Sequence, residues 1–148
     1  MSATVFVDTN VLLYARDTSE AAKQSLARAW VDTLWAQRRA RLSYQVLDEY
    51  YVGLTRKLDP GLDRDAAQAD VRDLLAWRPV AVNGPLLEDA WRLEERYGLH
   101  FWDAQIVAAA RAAGCRYLLT EDLQSGQDLA GVTVVDPFTT RPEALPPR

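Results

Sequence analysis

Cysteine, histidine and methionine are nearly absent from these 148 residues, at one of each. A lone Cys115 excludes an intrachain disulfide and points to a reducing compartment, the cytoplasm. With His100 as the only histidine, two-histidine ribonuclease chemistry and a Ser-His-Asp triad lack material. No G-x-x-x-x-G-K-[ST] loop occurs, which removes a P-loop ATPase. No run approaches the roughly 20 apolar residues of a membrane span, and residues 4–7 are too short, with no cationic segment before them, for a secretory leader. A basic excess is missing too. Lys and Arg total 17 against 21 Asp and Glu, a net charge of −4. This argues against a protein that coats nucleic acid, but not against a metal-dependent enzyme acting on it, because a bound divalent ion inverts the sign of an acidic site.

What is present suits one domain with a sizeable core: 49% apolar and 26% charged residues. Thr4-Val-Phe-Val7 is a buried-strand run that stops on Asp8, and Val11, Leu12 and Tyr14 follow at helical spacing. A long amphipathic helix is expected over 20–38, with Ala22, Leu26, Ala29, Trp30, Thr33 and Leu34 on its buried stripe. Residues 41–43 form a weak strand, and Ser43 suits the cap of a helix reaching about Lys57. Asp59-Pro-Gly61 is turn chemistry. Asp63 begins a helix carrying Ala67, Val71, Leu74 and Leu75, and residues 79–82 are a short strand. Pro85 and Gly98 bracket another helix, with Leu87, Ala90, Trp91 and Tyr97 inward. A last helix spans 101–113 and stops at Gly114, and strands follow at 116–120 and 132–135. Four of the seven prolines lie beyond Asp136, so residues 139–148 are expected to form a surface tail on a domain of residues 1–138. Repeated strand–helix alternation predicts a mostly parallel α/β sheet with helices on both faces.

Three acidic positions fall where such a fold builds sites. Asp8 ends a fully apolar strand, and ligand crevices of open α/β sheets lie outside the carboxyl ends of strands. A helix cap is the alternative role for it. Glu121-Asp122 follows the strand 116–120 in the same way. Asp103 lies in the first turn of its helix with Ile106, Val107 and Ala110 on the same stripe, so it faces inward. A helix dipole accounts for its place along the helix but not for its face, and an inward carboxylate needs a partner. In Gln45-Val-Leu-Asp-Glu49, helical projection sets Asp48 and Glu49 equally far from the centre of the apolar stripe. Periodicity does not choose between them, although Gly53 leaves space one turn beyond Glu49.

Val-Asp8-Thr-Asn10, Gln45-Val-Leu-Asp-Glu49, Trp102-Asp103-Ala-Gln-Ile-Val and Leu119-Thr120-Glu-Asp122-Leu-Gln together resemble the motifs of PIN-domain ribonucleases, most closely the VapC toxins of bacterial toxin–antitoxin pairs. The similarity spans residues 4–138 with the motifs in family order. It implies an acidic quartet of Asp8, Glu49, Asp103 and Asp122 that is both catalytic and metal-binding, with Asn10 and Thr120 as supporting polar residues. It further implies a PIN-like three-layer sandwich whose five-stranded parallel sheet has the order 3-2-1-4-5. The implied activity is Mg²⁺- or Mn²⁺-dependent hydrolysis of a structured RNA, with a small antitoxin as partner and a homodimer as the assembly.

Elementary electrostatics favours a cation independently. Two carboxylates about 5 Å apart repel by roughly 3 kcal/mol at an effective dielectric near 20. Four converging ones protonate, splay apart or hold a hard cation, and oxygen-only ligands select Mg²⁺ or Mn²⁺ over zinc. Two other classes fit parts of the pattern. An aspartyl-phosphate phosphatase or receiver domain also places an Asp after its first strand, but the phosphatase wants a second Asp where Asn10 stands. Both want a late Lys, and none follows Lys57. A PIN-like module that only binds RNA or protein is the other. Arg16, Lys23, Arg38, Arg39, Arg41, Arg56 and Lys57 are candidates to line an RNA path. On the helix 20–38, Val31 and Trp35 project away from the core stripe, as an apolar groove for the antitoxin would require.

Overall fold

Strand β1 (Val5–Val7) is entirely buried and paired on both edges, which makes it an interior strand of the sheet. The protein is described by a computed structural model covering residues 3–145. The elements around β1 follow the chain as α1 (Thr9–Tyr14), α2 (Ala21–Gln37), β2 (Ala40–Arg41), α3 (Tyr44–Val52), α4 (Arg64–Leu74), α5 (Gly84–Tyr97), α6 (Phe101–Ala112), β3 (Tyr117–Leu119), β4 (Asp128–Leu129) and β5 (Val132–Val135). The sheet order is β2-β1-β3-β5-β4. The first four strands are parallel, in the register Val5 with Ala40, Phe6 with Leu118 and Leu118 with Val134. Most of their apolar side chains are buried, with Tyr117 and Thr133 partly so, as a sheet covered by helices demands.

The expected order differs from this at both edges. The strand predicted at 79–82 is reduced to a single parallel bridge between Ser43 and Val80. Val80 bonds Leu42 and Tyr44, but Pro79 has no N–H, Arg78 turns left-handed (φ 51°), and Asn83 already caps α5. One residue is left to pair. The opposite edge gains antiparallel β4, joined to β5 by Ala130 and Gly131 at φ 52° and 97°. Both residues of that two-residue turn take positive φ, as tight hairpins require. Ala-Gly is a poor advertisement for it, and Asp128 helps by accepting the Gly131 N–H at 2.8 Å.

Most helix boundaries match their signals. Ser43, Asp63 and Asn83 cap α3, α4 and α5 by accepting backbone N–H groups of Val46, Ala66 and Leu86. Gly98 stops α5 at φ 66°, and Pro85 lies in its first turn. The faces needed correction in two helices. On α2 the buried residues are Ala27, Trp30 and Leu34, while Ala22 and Ala29 are exposed. On α5 Leu86, Ala90 and Leu93 are buried and Trp91 is half exposed. The helix from Tyr44 was expected to continue unchanged to Lys57. It instead widens at Gly53 into a π-helical turn, Gly53–Lys57, a deviation frequent at functional sites.

The Pro-rich tail runs over α2. Trp30, fully buried on that helix, donates its indole N–H to the carbonyls of Pro137 and Thr140, each at 3.0 Å. Phe138 meets the Tyr14 ring edge-on at 5.1 Å. Residues 1–2 and 146–148, the ends of the expected domain and tail, lie outside the described residues.

Candidate metal centre

Asp8 leaves the carboxyl end of β1 and caps α1, and its two oxygens are used differently. Oδ1 accepts the Thr9 N–H at 2.7 Å, and Oδ2 accepts the Thr120 hydroxyl at 2.9 Å from the end of neighbouring β3. The cap role and the site role therefore belong to one side chain. Only 6% of Asp8 is exposed. Burial pushes its pKa up to about 7, against the two hydrogen bonds, and the charges of Asp122 and Glu49 push the same way.

Thr120 is the hub that holds the strand ends together. Its hydroxyl has one donor and two lone pairs, and all are used. It donates to Asp8 and accepts from Asn10 Nδ2 at 3.0 Å and from the Asp122 N–H at 3.1 Å. Asn10 also donates to Asp122 Oδ2 at 3.1 Å. The turn of α1 that starts at Asp8 thereby fixes the loop after β3. Glu121 is turned away from this cluster. It pairs with Lys23 at 3.0 Å, and the ammonium also sits over the Tyr14 and Phe138 rings at 4.7 and 4.9 Å. Asp122 is thus the member of the acidic pair that faces the site.

Glu49 arrives from α3, and its Oε1 accepts the Thr9 hydroxyl at 2.8 Å. Asp48 reaches the same cleft and is exposed, as Glu49 is, but has no partner among the described residues. The expected role of Gly53 changes. A Cβ there would lie 2.6 and 2.7 Å from the Leu13 methyls, so the glycine admits Leu13 of α1 rather than clearing space for Glu49. Asp103 enters from the first turn of α6, half buried. Burial raises its pKa, the charges of Asp122 and Glu49 add to this, and His100 opposes it.

Asp8, Glu49, Asp103 and Asp122 therefore line one cleft of about 430 Å³, with Asn10, Gln45, Lys57 and Trp102 on its walls. Among the described residues, no lysine or arginine forms an ion pair with any of the four. An all-oxygen donor set around a buried, raised carboxylate fits a hard divalent cation. As placed, no group of three or more acidic, histidine or cysteine side chains among the described residues is closed enough to hold an ion.

The expected cationic path is thinner than its residue count suggests. Arg16 pairs with Asp70, which also accepts the Tyr50 hydroxyl, and Lys23 is held by Glu121. Arg39 is buried and donates to the Ala3 carbonyl, and Arg41 donates to that of Arg78. Only Lys57 of the seven lines the cleft. Sequence reasoning gave no role to Thr9, Gln45 and Trp102, and named Lys57 only as one of seven cations for an RNA path. For Gln45 a signal existed, since it lies four residues before Glu49 on the same helical face. The cleft position of Lys57 had none, because it depends on the π-turn.

Val31 and Trp35 line a second groove, of about 230 Å³, between α2 and α4, together with Arg16, Arg28 and Leu74. Trp35 is 44% exposed and leans on Trp77 at 5.5 Å.

Comparison with known proteins agrees with this architecture. Among solved structures the chain is similar to a toxin–antitoxin complex from Klebsiella pneumoniae, with 22% identity, a TM-score of 0.62, and coverage of 90% of this chain and 98% of that one. It is similar to Mycobacterium tuberculosis VapC20, a toxin that cleaves the sarcin–ricin loop, at 27% identity, a TM-score of 0.60, and coverage of 78% and 87%. It also resembles VapBC2 from Rickettsia felis bound to a DNA fragment from their promoter, at 16% identity, a TM-score of 0.57, and coverage of 88% and 96%. No curated protein matches the chain. The profile of the PIN domain matches residues 5–127, most of the chain, and the protein belongs to the PIN domain family.

Proposed function

We propose that this protein is a divalent-cation-dependent endoribonuclease and the toxin of a bacterial toxin–antitoxin pair. The observation that carries the proposal is the arrival of four carboxylates, Asp8, Glu49, Asp103 and Asp122, from four separate parts of the chain at one cleft. Membership of the PIN family supports nuclease chemistry, and it gives no support to an aspartyl-phosphate enzyme. These four residues would hold Mg²⁺ or Mn²⁺, which supplies Lewis acidity and positive charge for phosphodiester hydrolysis. Asp8 is the fixed member, immobilised through both oxygens. Thr120 and Asn10 keep Asp122 beside it, and Thr9 orients Glu49. Lys57 contributes a cation on the cleft wall for the RNA backbone.

The toxin assignment draws on the structural neighbours, which include toxin–antitoxin assemblies. An antitoxin, a homodimer and a cytoplasmic setting belong to this proposal, with Val31 and Trp35 as part of the antitoxin groove. Among the described residues, no helix is long and apolar enough to cross a membrane. The decisive experiment incubates the purified chain with total RNA in Mg²⁺ or Mn²⁺, with and without excess chelator, and maps new ends by sequencing. Discrete cleavage that chelator abolishes and Asp8→Asn removes is expected. Full cleavage in chelator would overturn the proposal, and an intact chain that binds RNA without cutting it would favour a non-catalytic PIN-like module.

A further inference from the structure

Trp102 is 62% exposed, more than any other large apolar side chain among the described residues. It precedes Asp103 directly in α6 and lines the acidic cleft. A single exposed aromatic is ordinary on a protein surface. Three neighbouring features set this one apart.

The first is its footing. Phe101 packs edge-on to the indole at 5.2 Å and 70°, which limits the ring's freedom while leaving it accessible. The second is Gln45, on the same cleft and only 8% exposed. Its Oε1 accepts from Gln105 Nε2 at 2.7 Å, but its own Nε2 is buried without a partner. A buried orphan donor is costly, and Gln45 borders the cleft, where an acceptor on a bound ligand would relieve that cost. The third is Lys57, a cation on the cleft wall with no ion pair among the described residues. A ligand that answers all three has a flat π face, an acceptor oxygen and negative charge. A nucleotide with its base unstacked has all of these, and an aromatic peptide side chain such as phenylalanine has only the first.

Resting on the nuclease reading above, we propose that Trp102 is the platform on which the base beside the scissile phosphate stacks. Trp102 is then a positioning residue. It holds an unpaired nucleotide over the carboxylates while the Gln45 amide donates to a sugar or phosphate oxygen. Every base has a π face, so the platform contributes affinity for unpaired RNA and little sequence preference. A base inside a duplex is already stacked and is not available to it.

The test compares wild type, Trp102→Ala and Trp102→Phe on a short unstructured RNA oligonucleotide in Mg²⁺, and on the same strand annealed to its complement. Alanine should raise KM for the single strand by about tenfold, at the low end of what stacking on an aromatic contributes. It should leave kcat within about threefold, and phenylalanine should recover most of the affinity. RNA should quench wild-type tryptophan fluorescence, and Trp102→Phe should lose most of that quench. The duplex should bind all three proteins weakly and alike. Unchanged KM in Trp102→Ala, or equal quenching in wild type and Trp102→Phe, alongside normal wild-type cleavage, would overturn the platform and leave the nuclease reading intact. A wild type that neither binds nor cleaves RNA would overturn both.

Discussion

Thr120 donates its hydroxyl to Asp8 Oδ2 at 2.9 Å across 112 positions of sequence, and the same oxygen accepts from Asn10 and from the Asp122 backbone. One small side chain thus joins the carboxyl ends of β1 and β3 and holds two of the four carboxylates. Thr120→Val keeps the shape and removes all three bonds. It leaves a buried carboxylate oxygen and two N–H groups without their partner, at a cost of about 1–3 kcal/mol per group truly orphaned. Urea unfolding should show a loss of at least about 2 kcal/mol, and RNA cleavage should fall with it. Thr120→Ser retains the hydroxyl and should lie near wild type in both measurements. If valine and serine behaved alike, the hub would carry no weight.

The raised pKa of Asp8 predicts how stability without metal varies with pH. Its ordinary value of 3.8 applies to the unfolded chain, and burial lifts the folded value to about 7. Between these limits the folded state binds more protons than the unfolded one, so stability falls as pH rises. The penalty is absent below pH 4, grows through the interval and is complete above about 7, where it is on the order of 4 kcal/mol. Asp8→Asn should flatten this slope and raise the metal-free melting temperature at pH 8, although it removes cleavage. Calorimetric scans of both proteins from pH 5 to pH 8 in chelator decide it. A wild type whose stability is level or rising across that range contradicts the assignment.

Divalent cation should act in the opposite direction at neutral pH. Ions that bind the folded carboxylates and not the unfolded chain stabilise by mass action, about 2.7 kcal/mol at a hundredfold excess over Kd. Melting temperature should therefore rise with Mg²⁺ or Mn²⁺ in wild type. The rise should shrink in Asp8→Asn and Asp103→Asn. An equal rise in all three would place the ion elsewhere.

Asp48 and Glu49 give a sharper comparison. Both border the cleft, yet only Glu49 is oriented by a neighbour, the Thr9 hydroxyl at 2.8 Å. Glu49→Gln should remove most cleavage while the fold holds, since the amide still accepts from Thr9 but no longer carries charge. Asp48→Asn should stay within about twofold of wild type. The reverse ranking in a matched cleavage assay would exchange the two roles.

These pairs also show what the sequence made legible and what it concealed. Asp8 and the Glu121-Asp122 pair were visible as carboxylates ending apolar strands, and Asp103 as a charge on an apolar stripe. Each is a local conflict between residue type and position. The Asp48/Glu49 choice was not visible, because it depends on Thr9, which a different element carries to within hydrogen-bonding distance of Glu49. The orphaned Gln45 amide and the cleft position of Lys57 were hidden for a similar reason, since one depends on Gln105 and the other on a π-turn. In the fold, caps such as Asp63 and Asn83 were local and legible. The edges of the sheet were not. Whether residues 79–82 extend beyond one bridge is decided by the left-handed Arg78 and by α5 beginning at once.

Trp35 carries the prediction about partners. It is 44% exposed on α2, in a groove that it lines with Val31 and Leu74 and with both charges, Arg16 and Arg28 beside Asp32, Asp70 and Asp73. Among the described residues its ring contact is with Trp77 at 5.5 Å, and such a tilted pair adds about 1 kcal/mol to the area it buries. Trp35→Ala should therefore cost the free protein less than truncation of the fully buried Trp30. Buried tryptophans at the centre of an interface are commonly hot spots, so the same change should weaken antitoxin binding by about 2 kcal/mol or more. RNA cleavage by the free protein should not change, because Trp35 does not line the acidic cleft. Titration calorimetry with the cognate antitoxin, beside a cleavage assay, separates the two effects. Equal affinity of mutant and wild type would remove Trp35 from the interface while leaving the nuclease assignment where it stands.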